Sequence, residues 1–168
     1  MKYRDRLGMT GESRTYRRNL PHIEEPGSIY FITFTTDGES VLPDKAKDIV
    51  LDSIKFHAGK KYRLYACVVM ETHVHFIIQP LKEPNGGFFS IAQIMHSIKS
   101  YSAHKINKLC NTAGNVWLHE NYDRIIRDDD EFLDKVNYIQ YNPIKAEIIR
   151  KPEDYRWLFL DNNGEKLE

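Results

Sequence analysis

Two apolar runs in the middle of the chain, residues 64–70 and 74–80, are separated by only three residues. Both runs are rich in β-branched, aromatic and other apolar side chains and have the length of a strand. A gap of three residues is too short for any connection other than the turn of a hairpin. The centre of the chain is therefore predicted to be a pair of antiparallel strands, around which the other elements must be placed.

A strand and a helix are predicted before this hairpin. Residues 29–36 are rich in β-branched and aromatic side chains and are followed by Asp37 and Gly38, a pair typical of a turn. From Asp44 to His57 the apolar residues recur at every third or fourth position, which indicates an amphipathic helix. Pro43 precedes that segment and suits the start of a helix.

Three further elements are predicted after the hairpin. Ser90 and Gln93 form the sequence pattern of a capping box, which predicts a second helix with an apolar face as far as Leu109. A weaker and interrupted strand pattern covers residues 116–126. Three aspartates at 128–130 can cap a third helix, and Pro143 is expected to end it near residue 142, because the residue before a proline avoids the α conformation.

The resulting order is strand, helix, strand, strand, helix, strand and one further helix. This order predicts an α+β fold of the ferredoxin-like, split βαβ kind, an antiparallel sheet with two helices on one face and room for a C-terminal helix on the other. A chain of 168 residues fits a single domain. We assign residues 28–160 to that domain, residues 1–27 to an irregular N-terminal arm and residues 161–168 to a tail.

Composition excludes several classes of protein. No segment approaches the ~18 consecutive apolar residues of a membrane span, and the polar N-terminus lacks the apolar stretch of a secretory signal. Cys67 and Cys110 are expected to be free thiols of a reducing compartment. We therefore expect a soluble, cytoplasmic protein with no membrane partner. A net charge of zero argues against non-specific coating of duplex DNA.

The first candidate for chemistry is the sequence His73-Val74-His75 at the start of the third predicted strand. Side chains alternate across a strand, so both histidines face the same way, about 7 Å apart along the backbone. Two imidazoles in this arrangement can share one metal ion. Taken alone, the pattern equally describes an ordinary polar face of a sheet, because motifs this short often occur by chance.

The second candidate lies at the end of the third predicted helix, where Tyr138 and Asn142 are four residues apart. At this spacing a phenol and an amide project from one face of the helix. Together with two imidazoles, the amide oxygen would leave coordination positions vacant on a divalent ion, which could then polarise a phosphate. Attack by the tyrosine would give a phosphotyrosine and conserve the ester for rejoining. No phosphate-binding loop of the G-x-x-x-x-G-K-[ST] type is present, so no nucleotide cofactor is expected.

These segments resemble the HUH-class single-tyrosine transposases of IS200-like insertion sequences, in particular the branch associated with repetitive extragenic palindromes (REP). The resemblance extends over most of the chain. It rests on Tyr30-Phe31-Ile32-Thr33-Phe34, Val69-Met70-Glu71-Thr72-His73-Val74-His75-Phe76, Ser97-Ile98-Lys99-Ser100-Tyr101, Tyr122-Asp123-Arg124 and Tyr138-Ile139-Gln140-Tyr141-Asn142-Pro143-Ile144-Lys145-Ala146. Two departures fall in flanking turns: Glu71-Thr72 replaces a frequent Pro-Asn, and Glu147 stands where a glycine often follows Ala146.

The resemblance implies a catalytic C-terminal helix with Tyr138 as the nucleophile, and His73, His75 and Asn142 as ligands of Mg²⁺ or Mn²⁺. It also implies a single-stranded DNA substrate that contains a hairpin, cleaved through a 5′-phosphotyrosine. Tyr141 is the rival nucleophile, but it has no amide four residues further on. Both a monomer and a homodimer fit the family.

Basic residues outside these motifs are candidates for contacting the DNA, because guanidinium and ammonium groups pair with phosphates. They fall into an N-terminal group, a group in the second helix and one residue of the fourth strand. The candidates are Arg14, Arg17, Arg18, Lys99, Lys105 and Arg124.

Two other functions remain open on the sequence alone. One is a non-catalytic module that binds single-stranded nucleic acid on the sheet of a ferredoxin-like fold. The other is a metal-dependent hydrolase that uses water as its nucleophile. For the hydrolase, Glu71 is the only carboxylate close to the histidines in the sequence.

Overall fold

The computed structural model describes residues 24–38 and 40–162 of the chain. Three helices and one sheet make up this part of the molecule. The strands are β1 (Ile29–Thr35), β2 (Tyr62–Val69), β3 (His73–Pro80), β4 (Tyr122–Ile126) and β5 (Leu158–Leu160). The helices are α1 (Asp44–His57), α2 (Ile91–Cys110) and α3 (Asp129–Lys145), and a short 3₁₀ turn covers Pro152–Asp154.

The five strands form one sheet in the order β4-β1-β3-β2-β5, and every neighbouring pair is antiparallel. The first four strands have the order of a ferredoxin-like fold, with the return of each βαβ unit passing over one intervening strand. The predicted fold class is therefore confirmed. β3 lies at the centre of the sheet, and its backbone is paired on both sides, with β1 and with β2.

One face of the sheet packs against α1 and α2. Phe34 on β1 and Phe76 on β3 meet edge to face, with ring centroids 6.0 Å apart, and Trp117 packs on Phe34 from the loop after α2. The indole Nε1 of Trp117 donates to the buried hydroxyl of Ser102 on α2. At the α1 side, the hydroxyl of Tyr62 donates to the carbonyl of Ile54. This face is thus an apolar layer in which these buried polar groups are hydrogen-bonded.

The other face is covered by α3. Residues of β1 and β3 that alternate with the apolar layer, including Phe31 and His75, point to this side. Phe132, near the start of α3, packs on Tyr65 of β2, and Tyr138 packs on His75. The room predicted on this face of the sheet is therefore occupied by the last helix, and His75 is only 1% exposed.

Local sequence explains where two of the helices begin. Ser90 and Gln93 form the predicted capping box, in which each side chain accepts from the backbone N–H of the other residue. Asp128 caps α3 by accepting from the N–H of Glu131. No helix in the described part of the chain is long and apolar enough to cross a membrane.

Two of the predicted elements were wrong at their boundaries, and one strand was not predicted. The strand predicted over 116–126 is confined to Tyr122–Ile126. Before it, the side chain of Trp117 packs on Phe34 in the apolar layer, and Trp117 forms an isolated bridge with Thr36 and no continuous strand. α3 continues through Pro143 to Lys145, since Asn142 and Pro143 are buried and their packing outweighs the local preference. β5 was not predicted, because its three residues form a strand only by pairing with β2.

Glu147, just after the end of α3, has a left-handed backbone conformation. Glu147 has φ 59°, in the left-handed region that a glycine adopts without strain. A glycine would therefore suit this backbone conformation, whereas Glu147 adopts it at a cost. Apart from residue 39, the assigned domain, 28–160, lies within the described residues, while most of the predicted arm and tail lie outside them.

Candidate active site

The two histidines of β3 lie side by side on the face covered by α3. In the register of the sheet, His75 stands between Thr33 of β1 and Val68 of β2, at the centre of the molecule. The ring centroids of His73 and His75 are 4.9 Å apart. The alternation of β3 therefore places both imidazoles where one ion can meet both, as the sequence predicted.

A threonine holds each histidine. The Oγ1 of Thr33 lies 2.7 Å from Nδ1 of His75, in a buried hydrogen bond. The Oγ1 of Thr72 lies 3.1 Å from Nδ1 of His73. In both rings Nδ1 is engaged by a hydroxyl, which makes Nε2 the nitrogen that can bind a metal. Sequence reasoning missed both threonines, although the register of β1 against β3 identifies Thr33.

Burial keeps both imidazoles neutral at ordinary pH. It lowers the pKa of His73 to about 4, against a smaller opposing effect of the hydrogen bond to Asn142. It also lowers the pKa of His75 well below its usual value, and the charges of His73 and Lys135 act in the same direction. A neutral imidazole is the form that binds a metal ion, so no proton has to be displaced.

α3 brings a phenol and an amide to the histidines. The ring of Tyr138 packs edge to face on His75, with centroids 5.1 Å apart, and on Phe31 at 5.9 Å. One turn later, Oδ1 of Asn142 lies 3.5 Å from Nε2 of His73. Tyr141 instead lies on the outer side of the helix and is 45% exposed. The structure thus brings together all four residues predicted to form the centre of the site.

The donor set fits a divalent ion such as Mg²⁺ or Mn²⁺. Two ligands at right angles around an ion with bonds of 2.0–2.1 Å are separated by about 3 Å, close to the 3.5 Å between His73 Nε2 and Asn142 Oδ1. Within 24–38 and 40–162, no group of three His, Cys, Asp or Glu side chains is suited to a metal. A metal at this site would therefore depend on the amide oxygen as its third protein ligand.

Comparison with known proteins places the chain in a family. The sequence model described as "Transposase IS200 like" matches residues 28–142, which is more than half of the chain and includes both histidines, Tyr138 and Asn142. The chain belongs to the IS200-like transposase family. The match begins one residue before β1 and ends within α3, so it covers every element that contributes to the site.

Two relatives of this IS200-like transposase carry the same kind of name. A Haemophilus influenzae protein named as a REP-associated tyrosine transposase is 23% identical over 157 residues, which cover 83% of this chain and 81% of the relative. A solved structure of a REP-associated tyrosine transposase bound to a REP hairpin matches with a TM-score of 0.66 at 22% identity. The match covers 89% of this chain and 82% of the other. The second likeness shows that the two proteins share a fold.

The basic residues predicted to contact DNA in this transposase are not brought to one place. Lys99 is partly buried on α2, where its ammonium donates to the carbonyls of Leu118 and His119, and burial lowers its pKa. Lys105 lies on α2 beside the ring of Tyr101. Both are on the helix that packs against the other face of the sheet. Arg14, Arg17 and Arg18 lie outside the described residues.

Of the three predicted DNA contacts that the structure describes, Arg124 alone lies on the same face as the histidines. Its register opposite Phe31 directs it toward α3, where Nε lies 2.6 Å from the carboxylate of Glu131. The side chain remains half exposed. Arg124 thus connects the edge strand β4 to the first turn of α3, and the ion pair accounts for its position without a ligand.

Proposed function

We propose that this chain cleaves and rejoins single-stranded DNA through a covalent 5′-phosphotyrosine at Tyr138. The proposal rests on one observation above all, the packing of the Tyr138 ring against the imidazole of His75 with Asn142 beside His73. A phenol, two neutral imidazoles and an amide oxygen are the groups that a metal-assisted phosphoryl transfer to tyrosine needs. Membership of a transposase family supports DNA as the substrate.

In this proposal His73, His75 and Asn142 hold Mg²⁺ or Mn²⁺. When bound, the ion acts as a Lewis acid that draws charge from a phosphate oxygen. Thr33 and Thr72 orient the rings through their Nδ1 atoms, which leaves Nε2 of each ring to bind the ion. The burial of His75 excludes water from that side of the site.

Tyr138 supplies the nucleophile. Its hydroxyl oxygen forms a bond to the scissile phosphorus as its proton leaves to solvent, and the bond from phosphorus to the 3′ oxygen breaks. The released 3′ oxygen takes up a proton and becomes a free hydroxyl. The phosphodiester is replaced by a phosphotyrosine ester of similar energy, so a 3′ hydroxyl from another end can reverse the step without a nucleotide cofactor.

The proposed substrate is single-stranded DNA that contains a hairpin. A structural relative of this chain is a REP-associated tyrosine transposase bound to a REP hairpin, and the two proteins share a fold. In this proposal, the unpaired strand next to the hairpin enters the site between β3 and α3. Both a monomer and a homodimer are compatible with this arrangement.

The decisive experiment is the replacement of Tyr138 by phenylalanine. Wild-type protein incubated with a labelled REP-type hairpin oligonucleotide and Mn²⁺ is expected to form a DNA adduct that survives SDS gel electrophoresis. Tyr138→Phe removes only the attacking oxygen, so adduct formation should fall below detection. The matched control is Tyr141→Phe, which removes an exposed hydroxyl from the same helix and should leave the adduct unchanged.

The ends of the products separate this proposal from its alternatives. Strand transfer leaves a 3′ hydroxyl and a protein-linked 5′ end, whereas a hydrolase leaves a free 5′ phosphate and no adduct. Glu71 is exposed in the hairpin turn, which does not favour it as the base of a hydrolase. Binding without cleavage, unaffected by His73→Ala or by EDTA, would indicate a non-catalytic nucleic-acid module. An adduct in Tyr138→Phe that is lost in Tyr141→Phe would reassign the nucleophile.

A further inference from the structure

One stripe of α3 carries more than the phenol and the amide. Lys135, Tyr138, Asn142 and Lys145 follow each other at intervals of three, four and three residues. Side chains at these intervals line one face of a helix, one turn after another. The candidate nucleophile and the candidate ligand therefore lie between two lysines on the face that is turned toward the histidines.

Both lysines reach the phenol. Nζ of Lys145 is 5.6 Å from the centroid of the Tyr138 ring. Nζ of Lys135 is 5.9 Å from the same centroid and 4.9 Å from the centroid of Phe31. The two ammonium groups come from opposite ends of the stripe, so the ring of Tyr138 has a cation on each side along the helix axis.

The charges on these lysines are not used in ion pairs with the carboxylates that the structure describes. This is notable on α3, because its first turn carries Asp129, Asp130 and Glu131. Glu131 pairs with Arg124 instead. Contact with an aromatic ring attracts an ammonium group only weakly at a site open to solvent, so each lysine keeps most of its capacity to bind an anion.

We propose that Lys135 and Lys145 bind the two backbone phosphates on either side of the scissile one and thereby determine which phosphodiester lies over Tyr138. This inference rests on the proposed function of the same site. Lys135 and Lys145 lie ten residues apart on α3, with Tyr138 between them, and their Cα atoms are separated by about 15 Å along the helix axis. Each lysine can therefore meet a different phosphate of a strand that runs along the stripe. If a DNA strand runs along the stripe, three successive phosphates lie near Lys135, Tyr138 and Lys145, one at each residue.

The first experiment measures binding without cleavage. In the Tyr138→Phe background, the affinity for a hairpin oligonucleotide with a single-stranded extension is measured by fluorescence anisotropy over a range of salt concentrations. Lys135→Met and Lys145→Met should each weaken binding and reduce the slope of log K against log salt by about 0.7, the value for one phosphate contact on a single strand. Lys→Arg at each position should restore most of the slope.

The matched control is Lys108→Met, an exposed lysine of α2, the helix on the other face of the sheet. It should leave the slope unchanged. If all three methionine variants behave alike, or if Lys135→Met and Lys145→Met leave the slope at the value of the background, the two phosphate-binding positions do not exist.

The second experiment tests the register. A single methylphosphonate, which removes the charge of one phosphate, is placed in turn at each position around the cleavage site. A methylphosphonate next to the scissile phosphate should weaken binding to the Tyr138→Phe protein. It should not weaken binding further when the lysine that contacts this phosphate has been replaced by methionine. With Tyr138 restored, Lys135→Met and Lys145→Met should cut at neighbouring phosphodiesters as well. A single unchanged cleavage position in both variants would overturn the proposal.

These outcomes separate the two proposals. If wild-type protein forms no adduct but the salt slope still depends on both lysines, the strand-transfer function fails and the phosphate-binding positions stand. If the adduct forms and is lost in Tyr138→Phe while both lysine variants match Lys108→Met, the function stands and the lysines have no part in register.

Discussion

The two faces of β3 carry different kinds of side chain. Val74, Phe76 and Ile78 are fully buried in the layer formed with α1 and α2. His73 and His75 alternate with them and point to the layer formed with α3. Both layers bury hydrocarbon, but the second also buries His75 and Asn142 and part of Tyr138.

The difference separates an apolar layer from the layer that carries the candidate site. Burying hydrocarbon stabilises the folded state in proportion to area. A buried polar group costs free energy unless a partner compensates it, and Thr33 supplies that partner for His75. The layer with α3 is therefore expected to contribute less to stability for the same burial, and substitutions on the two faces should have effects of different kinds.

The largest effect on stability is expected from Phe76→Ala. Phe76 is fully buried and packs on Phe34, so its loss should lower the free energy of unfolding by about 3–5 kcal/mol. Chemical denaturation followed by circular dichroism measures the change. His73→Ala, on the opposite face of the same strand, should cost only about 1 kcal/mol and abolish metal-dependent cleavage. Equal losses of stability in the two variants would show that the faces do not differ in this way.

Thr33→Val should sharpen the comparison on the polar side. Valine keeps the shape of the strand residue but cannot hydrogen-bond Nδ1 of His75. Loss of such a partner typically weakens metal binding 10–100-fold, and Mn²⁺ titration followed by electron paramagnetic resonance measures it. Thr35→Val, on the same face of β1, is the control and should bind Mn²⁺ as the wild type does. Wild-type affinity in Thr33→Val would mean that this hydroxyl does not orient the ring.

The smallest effect compares the ends of two helices. α2 packs in the apolar layer and is followed by Asn111, whose φ of 52° is a left-handed conformation that asparagine tolerates. α3 is followed by Glu147 with φ 59°. Glu147→Gly should therefore raise the free energy of unfolding by about 1 kcal/mol, measured by thermal denaturation. Asn111→Gly should change it less. A larger gain at Asn111 would contradict this account of strain at the site-side helix.

Most of the fold could be predicted because its local patterns agree with its tertiary structure. The hairpin turn, the spacing of apolar residues in α1 and the capping box of α2 each specify an element without reference to the rest of the chain. β5 could not be predicted, since three residues have too little pattern and gain their strand conformation from β2. The end of α3 was also predicted wrongly from Pro143, because the burial of Asn142 and Pro143 lets the helix continue to Lys145.

The centre of the site was predictable because its spacings are local. His73 and His75 are two residues apart on a strand, and Tyr138 and Asn142 are four apart on a helix. That these two segments meet, 69 residues apart, follows from the family resemblance and not from either spacing. The contact of Thr33 depends on the register of β1 against β3, which no local pattern specifies. The roles of these residues in catalysis remain predictions.

The central position of β3 has a consequence for movement. Its backbone amides and carbonyls are bonded to strands on both sides, so this strand should exchange its hydrogens only when the whole domain opens. α3 packs on the sheet through side chains, among them the Arg124–Glu131 ion pair and the contact of Tyr138 with His75. If Tyr138 forms the proposed phosphotyrosine, a rearrangement between cleavage and rejoining would have to be made by α3, which would move Tyr138 relative to histidine rings that β3 holds in place.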